Sequence, residues 1–451
     1  MSPTRFRILL RTAATVAAPL LRDAAFSAIQ QWATRRLATH NRPADPPWPE
    51  DTGGAVEIAA NHAVDGADGA APCPVTAPYG SLRLVNPSLV SGQDPGGSVS
   101  LGTGTLAVRM AHPDNLRRAW LKVAARKGTG AGVDGETAAT VRDRIDPLLA
   151  SLGREITAGE YKPLPLLCYD RRKPGGGVRR VAVPALRDRI AQRAMAQTLD
   201  LIVEPGLSRW SFAYRSERGC HEALAEADAL MAQGKPWIVR ADIRNCFDSI
   251  PHGRLLDGLP EPIAADAGVR SMIRAIIAGP RIVGWRVEFP KAGVPQGSPI
   301  SPLLANLYLD PVDRAARAAG LAMIRYADDL LCACGSREEA GRFVEVLEAE
   351  LRARGLALNA AKSRIADSRT DAYEFLGHRY ESGGWSPAPG RVEQIQRAIG
   401  TRLQQVREPA AERVAAASRK LEGWLAYYGR RTGVGERLRG WFRARPEVKS
   451  R

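Results

Sequence analysis

The chain has 451 residues, of which 45% are hydrophobic and 25% are charged. This composition excludes a fibre, a peptide and a wholly disordered protein, and the length allows two or three domains. Lysine and arginine outnumber aspartate and glutamate by 64 to 48, which gives a formal net charge of +16 and indicates a polyanionic partner. Residues 1–110 hold nine basic and eight acidic residues, so the rest of the chain carries +15.

The cysteines predict neither a zinc site nor a disulfide framework, because none of them form a C-x-x-C pair. Reduced thiols in a cytoplasmic protein fit this scatter best. The apolar run from Thr12 to Leu21 is ten residues long, well below the ~20 that a membrane-spanning helix needs. We therefore expect no membrane-spanning segment. The six cysteines are Cys73, Cys168, Cys220, Cys246, Cys332 and Cys334.

Residues 1–40 form an amphipathic pattern, with apolar side chains at helical spacing and arginines on the other face. A helical extension packed on the body of the protein is the favoured interpretation, and a helix that binds a partner or a membrane is the alternative. Residues 41–112 are rich in proline and glycine and poor in large apolar residues, which predicts a flexible linker.

Further along the chain, short apolar runs predict strands that end at acidic residues. The run that begins at Pro236 is β-branched and apolar and leads into Asp242. Two other apolar runs flank the sequence Tyr326-Ala327-Asp328-Asp329, which predicts a hairpin with two adjacent carboxylates at its turn. Helical patterns surround these strands in mixed order, so the predicted fold class is α+β.

Asp242, Asp328 and Asp329 are placed to hold metal ions together. Nucleotidyl transfer uses two divalent cations about 3.5–4 Å apart, and magnesium prefers carboxylate oxygen ligands. An acid at the end of one strand that faces a pair on a neighbouring hairpin would supply such ligands. A single aspartate at a strand end is more often a turn residue or a cap, so the interpretation depends on the motifs around these acids.

Those motifs resemble the bacterial reverse transcriptases of the group II intron type, over about residues 113–442. The block from Ala241 to Ile250 resembles the first catalytic palm motif of that family, and Tyr326-Ala327-Asp328-Asp329 resembles the second. The block Gly293-Val294-Pro295-Gln296-Gly297-Ser298-Pro299 resembles the motif that lines the nascent base pair. Their joint occurrence in this order is very improbable by chance.

The resemblance implies a role for each matching residue. Asp242, Asp328 and Asp329 would bind two Mg²⁺ ions, with the Ile243 carbonyl as a further ligand and Mn²⁺ as a substitute ion. Gln296 and Gly297 would contact the incoming nucleotide, since a residue without Cβ allows a close approach of the backbone.

Two basic segments resemble further parts of the family. The segment from Arg172 to Arg180 resembles the hairpin that grips the incoming triphosphate, and this role falls on Lys173 and Arg179. A lysine and an arginine beside a glycine-rich tip suit phosphate contact, although a solvated basic turn has the same composition. Lys362 matches the lysine that protonates the leaving pyrophosphate, and a surface lysine is the alternative interpretation.

Phe247 lies five residues after Asp242. In the reverse transcriptases an aromatic residue at this position closes the space that a ribose 2′-hydroxyl would need, whereas RNA-synthesising relatives usually carry a small or polar residue. The resemblance therefore implies a steric gate that selects deoxynucleotides, and a core phenylalanine is the alternative.

The resemblance also implies a right-hand polymerase architecture. The implied division is fingers over residues 113–240, palm over 241–388 and a helical, maturase-like thumb over 389–451. Residues 1–112 match nothing recognisable, and few residues follow the thumb-like segment, so the endonuclease domain of many mobile-intron proteins is expected to be absent.

The expected function is RNA-directed DNA synthesis from a primer on an RNA template, with deoxynucleoside triphosphates. The expected setting is CRISPR spacer acquisition, with CRISPR adaptation proteins as partners, or anti-phage defence. A splicing maturase that binds intron RNA or another structured noncoding RNA is the alternative. An RNA-dependent RNA polymerase is a third hypothesis, which Phe247 opposes.

Overall fold

The computed structural model describes residues 105–126, 130–172, 178–284, 286–405, 408–429 and 433–449. The extension predicted over residues 1–40, most of the linker predicted over 41–112, and Lys173 lie outside these residues. The first described helix begins at Thr105, ahead of the fingers boundary predicted at residue 113. It buries Leu106 and Met110, which are apolar residues one turn apart.

The described chain contains helices and strands in mixed order, and the predicted α+β class is confirmed. The strands are β1 (Leu166–Arg172), β2 (Val178–Val183), β3 (Trp237–Asp242), β4 (Arg281–Val283), β5 (Arg286–Glu288), β6 (Met323–Tyr326), β7 (Asp329–Cys334), β8 (Arg364–Asp367), β9 (Tyr373–Phe375), β10 (His378–Glu381) and β11 (Gly384–Pro387).

The helices are numbered in the same way. They are α1 (Thr105–Ala111), α2 (Pro113–Ala124), α3 (Ala138–Val141), α4 (Ile145–Thr157), α5 (Leu186–Val203), α6 (Cys220–Ala232), α7 (Cys246–Ser249), α8 (His252–Asp257), α9 (Glu261–Ala264), α10 (Ala267–Ala278), α11 (Ser301–Ala318), α12 (Arg337–Ala353), α13 (Arg391–Leu403), α14 (Ala410–Tyr428), α15 (Gly435–Arg443) and α16 (Pro446–Lys449). None of the helices in the described ranges is long and apolar enough to cross a bilayer.

The chain divides into two compact units. The described residues of the first unit come from Pro95–Gly206 and Asn245–Tyr308, and those of the second come from Leu207–Arg244 and Leu309–Arg451. The fingers, palm and thumb boundaries predicted from the sequence remain a prediction, because they divide the chain by function.

The first unit contains a four-stranded sheet in the order β2-β1-β4-β5. Strand β1 pairs with β2 in antiparallel fashion and with β4 in parallel. Its apolar first half is buried, and its charged second half, which ends at Arg172, is exposed. Helices α2 and α5 pack together through buried Asn115, whose Nδ2 donates to the Ala194 carbonyl at 3.0 Å.

The second unit contains a four-stranded antiparallel sheet in the order β6-β7-β3-β8. Every residue of its central strand β7 is buried, as expected for a strand covered on both faces. Helices α6 and α12 pack on this sheet. A smaller sheet, β11-β10-β9, and helices α13 and α14 continue the same core, in which Trp424 and Phe375 are fully buried.

Candidate active site

Strands β3 and β7 place the motif acids of the second unit at one end of their sheet. Asp242 is the last residue of β3 and Asp329 is the first residue of β7, and the two residues pair directly across the ladder. Asp328 lies in the turn between β6 and β7, next to Ala327, whose φ of 58° is in the left-handed region. The hairpin predicted from the sequence is present, and the pairing of its strand β7 with β3 brings Asp242 to the two hairpin acids.

The backbone fixes this arrangement from both sides of β3. The Ile243 amide donates to the Asp328 carbonyl at 3.0 Å, and the Asn359 amide donates to the Asp242 carbonyl at 2.7 Å. Because these bonds link three separate chain segments, the acids do not depend on one flexible loop for their position. A role of the Ile243 carbonyl as a metal ligand remains a prediction.

The carboxylates lie in surroundings that disfavour their negative charges. Burial, together with repulsion from Asp242, raises the pKa of Asp328 to about 7. Burial also raises the pKa of Asp329, although Arg240, with Nε 3.4 Å from Asp329 Oδ1, opposes that rise. Buried carboxylates that repel one another are stabilised in their charged form by a cation.

Two neighbouring side chains engage the Asp242 carboxylate. Lys362 Nζ lies 3.3 Å from Oδ2, and Asn359 Nδ2 donates to Oδ1 at 3.0 Å. Across the described part of the chain, no three His, Cys, Asp or Glu side chains are already grouped as metal ligands. The oxygen donors of the acids and the repulsion between them suit a divalent cation. In this structure, Lys362 and Arg240 balance part of the negative charge of the acids.

A fully buried ion pair supports the turn that carries Asp328. Arg325, on β6, binds the Asp313 carboxylate of α11, with Nη2 2.7 Å from Oδ2 and Nε 2.8 Å from Oδ1. Both side chains are completely inaccessible to solvent. The Arg325 guanidinium also reaches the Ala327 carbonyl at 3.4 Å, so the pair contacts the left-handed residue of the turn.

The turn between β9 and β10 is also held at its backbone. Leu376 and Gly377 have φ values of 48° and 70°. The Leu376 carbonyl accepts a hydrogen bond from the Tyr427 hydroxyl at 3.0 Å, and His378 Nδ1 lies 3.0 Å from the same oxygen. Helix α14 therefore helps to fix this turn.

In the first unit, the Gln296 side chain links Arg179 to Asp248. Its Oε1 accepts from Arg179 Nε at 2.6 Å, and its Nε2 donates to Asp248 Oδ2 at 2.9 Å. The Gln296 carbonyl accepts from the Ala182 amide at 2.7 Å. The Arg179 guanidinium is suited to contact phosphate groups, and the Gln296 side-chain amide is suited to contact bases.

The backbone conformation of residue 297 and its packing against the protein both require a glycine. Its φ is +118°, and a Cβ atom there would lie 2.2 Å from the Ala182 carbonyl oxygen of β2. The sequence interpretation assigned the missing Cβ to a close approach of nucleotide. The structure shows that the close approach is to strand β2, which carries Arg179.

Phe247, in helix α7, is partly exposed and does not belong to the buried core of the described residues. Its backbone carbonyl accepts a hydrogen bond from the Val294 amide at 2.7 Å. This bond ties the first palm motif to the segment that leads into Gln296. The role of Phe247 as a steric gate remains a prediction.

The side chains that hold the acids in place were not predicted from the sequence. Arg240 lies two residues before Asp242 on β3, so strand periodicity puts the two side chains on one face and could have identified Arg240. Asn359 lies three residues before Lys362, and nothing in the sequence indicated that it contacts Asp242. The pairing of Arg325 with Asp313 had no local signal, because it joins a strand to a helix.

Residues 171–380 match the family model described as reverse transcriptase (RNA-dependent DNA polymerase). Protein YkfC from Escherichia coli (strain K12) is 31% identical over 309 residues, which cover 58% of this chain and 80% of YkfC. The chain belongs to the reverse transcriptase family. It is therefore an RNA-directed DNA polymerase by family.

This reverse transcriptase is also similar to proteins of group II introns. The group II intron-encoded protein LtrA from Lactococcus lactis subsp. cremoris is 30% identical over 208 residues, which cover 46% of this chain and 34% of LtrA. The putative COX1/OXI3 intron 1 protein of Saccharomyces cerevisiae is 29% identical, over 45% of this chain and 24% of that protein. The chain thus spans about a third or less of these intron proteins, and it is group II intron-like.

Among solved structures, a partial Cas6-RT-Cas1–Cas2 complex matches at 26% identity, covering 54% of this chain and 40% of that one, with a TM-score of 0.35. Telomerase from Candida albicans matches at 12% identity, covering 63% of this chain and 57% of that one, with a TM-score of 0.41.

Proposed function

We propose that this reverse transcriptase extends the 3′-hydroxyl of a primer on an RNA template with deoxynucleoside triphosphates. The observation that carries the proposal is the direct pairing of Asp242 with Asp329, with Asp328 in the adjoining turn. Three acids from two motifs lie at one sheet end, in surroundings that favour binding of a cation. The family match over residues 171–380 supports the same reaction.

Asp242, Asp328, Asp329 and the Ile243 carbonyl would hold two Mg²⁺ ions, and Mn²⁺ would fit the same oxygen donors. When bound, such ions lower the pKa of the attacking hydroxyl and neutralise the triphosphate. The chain contributes the fixed backbone under the acids and the nearby cations Lys362 and Arg240. Both cations balance carboxylate charge in the structure, at 3.3 Å and 3.4 Å.

Lys362 has a further proposed role as a proton donor to the leaving pyrophosphate. Its side chain is 58% exposed, so it can leave Asp242 and reach a substrate phosphate. A lysine ammonium group carries three N–H donors, so it can both bind a phosphate oxygen and give up a proton.

Substrate contacts are proposed for the first-unit residues. Arg179 and Lys173 would bind the triphosphate, of which only Arg179 lies in the described residues. Gln296 and Gly297 would line the nascent base pair, and Phe247 would exclude a ribose 2′-hydroxyl. The bond from Arg179 to Gln296 supports this grouping, because it couples a phosphate ligand to the motif that contacts the base.

The biological setting in which the enzyme works is a separate proposal. The sequence predicts CRISPR spacer acquisition or anti-phage defence, in the cytoplasm, and the likeness to LtrA supports the alternative of an intron-encoded maturase. A group II intron RNA incubated with the protein separates the two settings. Tight, salt-resistant binding and faster splicing of that RNA would favour the maturase, whereas binding no tighter than to unrelated RNA would favour the defence setting.

Primer extension tests the proposed reaction itself. A labelled DNA primer annealed to an RNA template is incubated with Mg²⁺ and either deoxy- or ribonucleotides. Extension with deoxynucleotides alone supports the proposal. Extension with ribonucleotides alone would indicate an RNA polymerase, and binding without extension would indicate a non-catalytic RNA-binding protein.

A further inference from the structure

The side-chain amide of Gln296 is held between a cation and an anion. Its Oε1 accepts a hydrogen bond from Arg179 Nε at 2.6 Å, and its Nε2 donates to Asp248 Oδ2 at 2.9 Å. A guanidinium can only donate, and an ionised carboxylate can only accept. A flipped amide would set donor against donor and acceptor against acceptor, so the two partners fix the orientation of the amide.

These two contacts leave part of the Gln296 amide available to a ligand. An amide side chain offers two N–H donors and two acceptor lone pairs. The contacts with Asp248 and Arg179 use one of each, and the Gln296 residue is only partly buried. The orientation of the amide therefore decides whether a ligand at a given position meets the remaining donor or the remaining lone pair.

The backbone around Asp248 is tied to the segment that leads into Gln296. The Val294 amide donates to the Phe247 carbonyl, and the Gly293 amide donates to the Ile250 carbonyl, both at 2.7 Å. Gly293 has a φ of +90°, and a Cβ atom there would lie 2.8 Å from the Asp248 carbonyl oxygen. These contacts flank Asp248 on both sides, so its carboxylate is already placed where it reaches the amide.

The two partners of Gln296 differ in what a nucleotide would do to them. Arg179 is a proposed ligand of the triphosphate, so an incoming nucleotide competes with Gln296 for its guanidinium. Asp248 carries a negative charge and is not attracted by a phosphate. Asp248 is also exposed, so packing of its side chain contributes little to the fold. Its contact with Gln296 is therefore the restraint that persists when the nucleotide arrives.

We propose that Asp248 is a positioning residue for the incoming nucleotide. It holds the Gln296 amide in one orientation before and after Arg179 engages the triphosphate, and this preorganisation raises the affinity for the nucleotide. Asp248 itself touches no substrate and binds no metal ion in this scheme. The inference rests on the proposed function, because that function places Gln296 at the nascent base pair.

The test measures nucleotide affinity without the chemical step. The full-length protein is bound to a DNA primer on an RNA template, the primer ends in a 3′-deoxynucleotide, and the Kd of the templated deoxynucleoside triphosphate is measured with Mg²⁺. Asp248→Ala should weaken this affinity roughly 3- to 30-fold, as expected for the loss of one hydrogen bond to a charged group. Asp248→Asn keeps an oxygen acceptor for Gln296 and should stay within about threefold of wild type.

A double-mutant cycle separates positioning from a direct effect of Asp248. If Asp248 acts through Gln296, Asp248→Ala should weaken nucleotide binding no further in a protein that already carries Gln296→Ala. The Tm of Asp248→Ala should stay within about 2 °C of wild type, because the residue is exposed. Asp257→Ala is the matched control, since it removes another exposed carboxylate of the first unit, 3.1 Å from Arg270 Nη2, and should bind the nucleotide as wild type does.

Three results would overturn the positioning role: unchanged nucleotide affinity in Asp248→Ala, equal losses in Asp248→Asn and Asp248→Ala, or additive losses in the cycle with Gln296→Ala. The proposed function fails separately. If wild type binds the nucleotide with the expected dependence on Asp248 but extends no unblocked primer, the polymerase reaction is refuted and the positioning role is supported. Normal extension by wild type together with additive losses gives the reverse conclusion.

Discussion

Gly297→Ala should disconnect the polar group around Gln296 while leaving the acids of the second unit in place. The new Cβ would lie 2.2 Å from the Ala182 carbonyl oxygen, and the backbone of residue 297 would keep a φ of +118° that alanine rarely adopts. Strand β2 would have to move away. Because β2 carries Arg179, the bond from Arg179 Nε to Gln296 Oε1 at 2.6 Å would lengthen or break.

The expected cost has two parts. A left-handed backbone in a residue with Cβ costs about 1–2 kcal/mol, and forcing an atom into a packed site costs about 1–3 kcal/mol. The sum is about 2–5 kcal/mol of the free energy of unfolding. Gly159→Ala is the matched control, because Gly159 has a φ of +71° in the same unit and nothing within 4 Å of a Cβ. The free energy of unfolding of Gly159→Ala should fall only by the backbone cost, about 1–2 kcal/mol.

Urea unfolding and steady-state primer extension measure the two consequences. The free energy of unfolding should fall by more in Gly297→Ala than in Gly159→Ala, by about the 1–3 kcal/mol of the clash. For folded Gly297→Ala, kcat/KM for deoxynucleotides should fall about 10- to 100-fold, since misplacement by about 1 Å has costs of that order. Equal stability losses in the two variants, with full activity in Gly297→Ala, would refute the close contact with β2 and its role in holding Arg179.

Three further predictions concern specificity, a buried ion pair and pH. Phe247→Val should raise the ratio of ribonucleotide to deoxynucleotide kcat/KM on the order of 10²-fold, and loss of activity on both substrates would identify Phe247 as a structural residue instead. Asp313→Asn should lower the free energy of unfolding by about 3–5 kcal/mol, because it leaves buried Arg325 without its counter-charge; a urea titration that shows less than 1 kcal/mol would contradict this. Burial raises the pKa of Asp188 to about 7, so its stabilising contribution is present below pH 4 and is lost as pH rises through 7. The stability advantage of wild type over Asp188→Asn, measured by urea unfolding, should therefore shrink between pH 5 and pH 8, and a growing advantage would contradict the assignment.

Features that depend on a local sequence pattern could be predicted from the sequence. The apolar run before Asp242 and the runs around Asp328 and Asp329 predicted strands, and the acids at their ends predicted a shared site. An apolar run that ends at an acidic residue can be recognised in the sequence alone. Because paired strands lie side by side, such acidic ends can meet at one end of a sheet. The α+β class followed from the same runs.

Contacts between distant segments could not be predicted in this way. The close approach of Gly297 to Ala182 joins a loop to a strand 115 positions earlier, and nothing in either segment indicates the other. The buried pair of Arg325 and Asp313 is similar, since a charged residue in an apolar strand is usually expected to reach solvent. Which residues satisfy a buried charge is decided by packing, and packing depends on the whole chain.

The most direct test of the account is primer extension by Asp328→Asn at saturating Mg²⁺ on an RNA template. The substitution keeps the shape of the side chain and removes one charged ligand, so DNA synthesis should fall by several orders of magnitude. Asp146→Asn removes an exposed carboxylate from the first unit and should leave synthesis unchanged. Near-normal extension by the Asp328→Asn protein, with the same fold as wild type, would contradict the assignment of these acids as the catalytic centre.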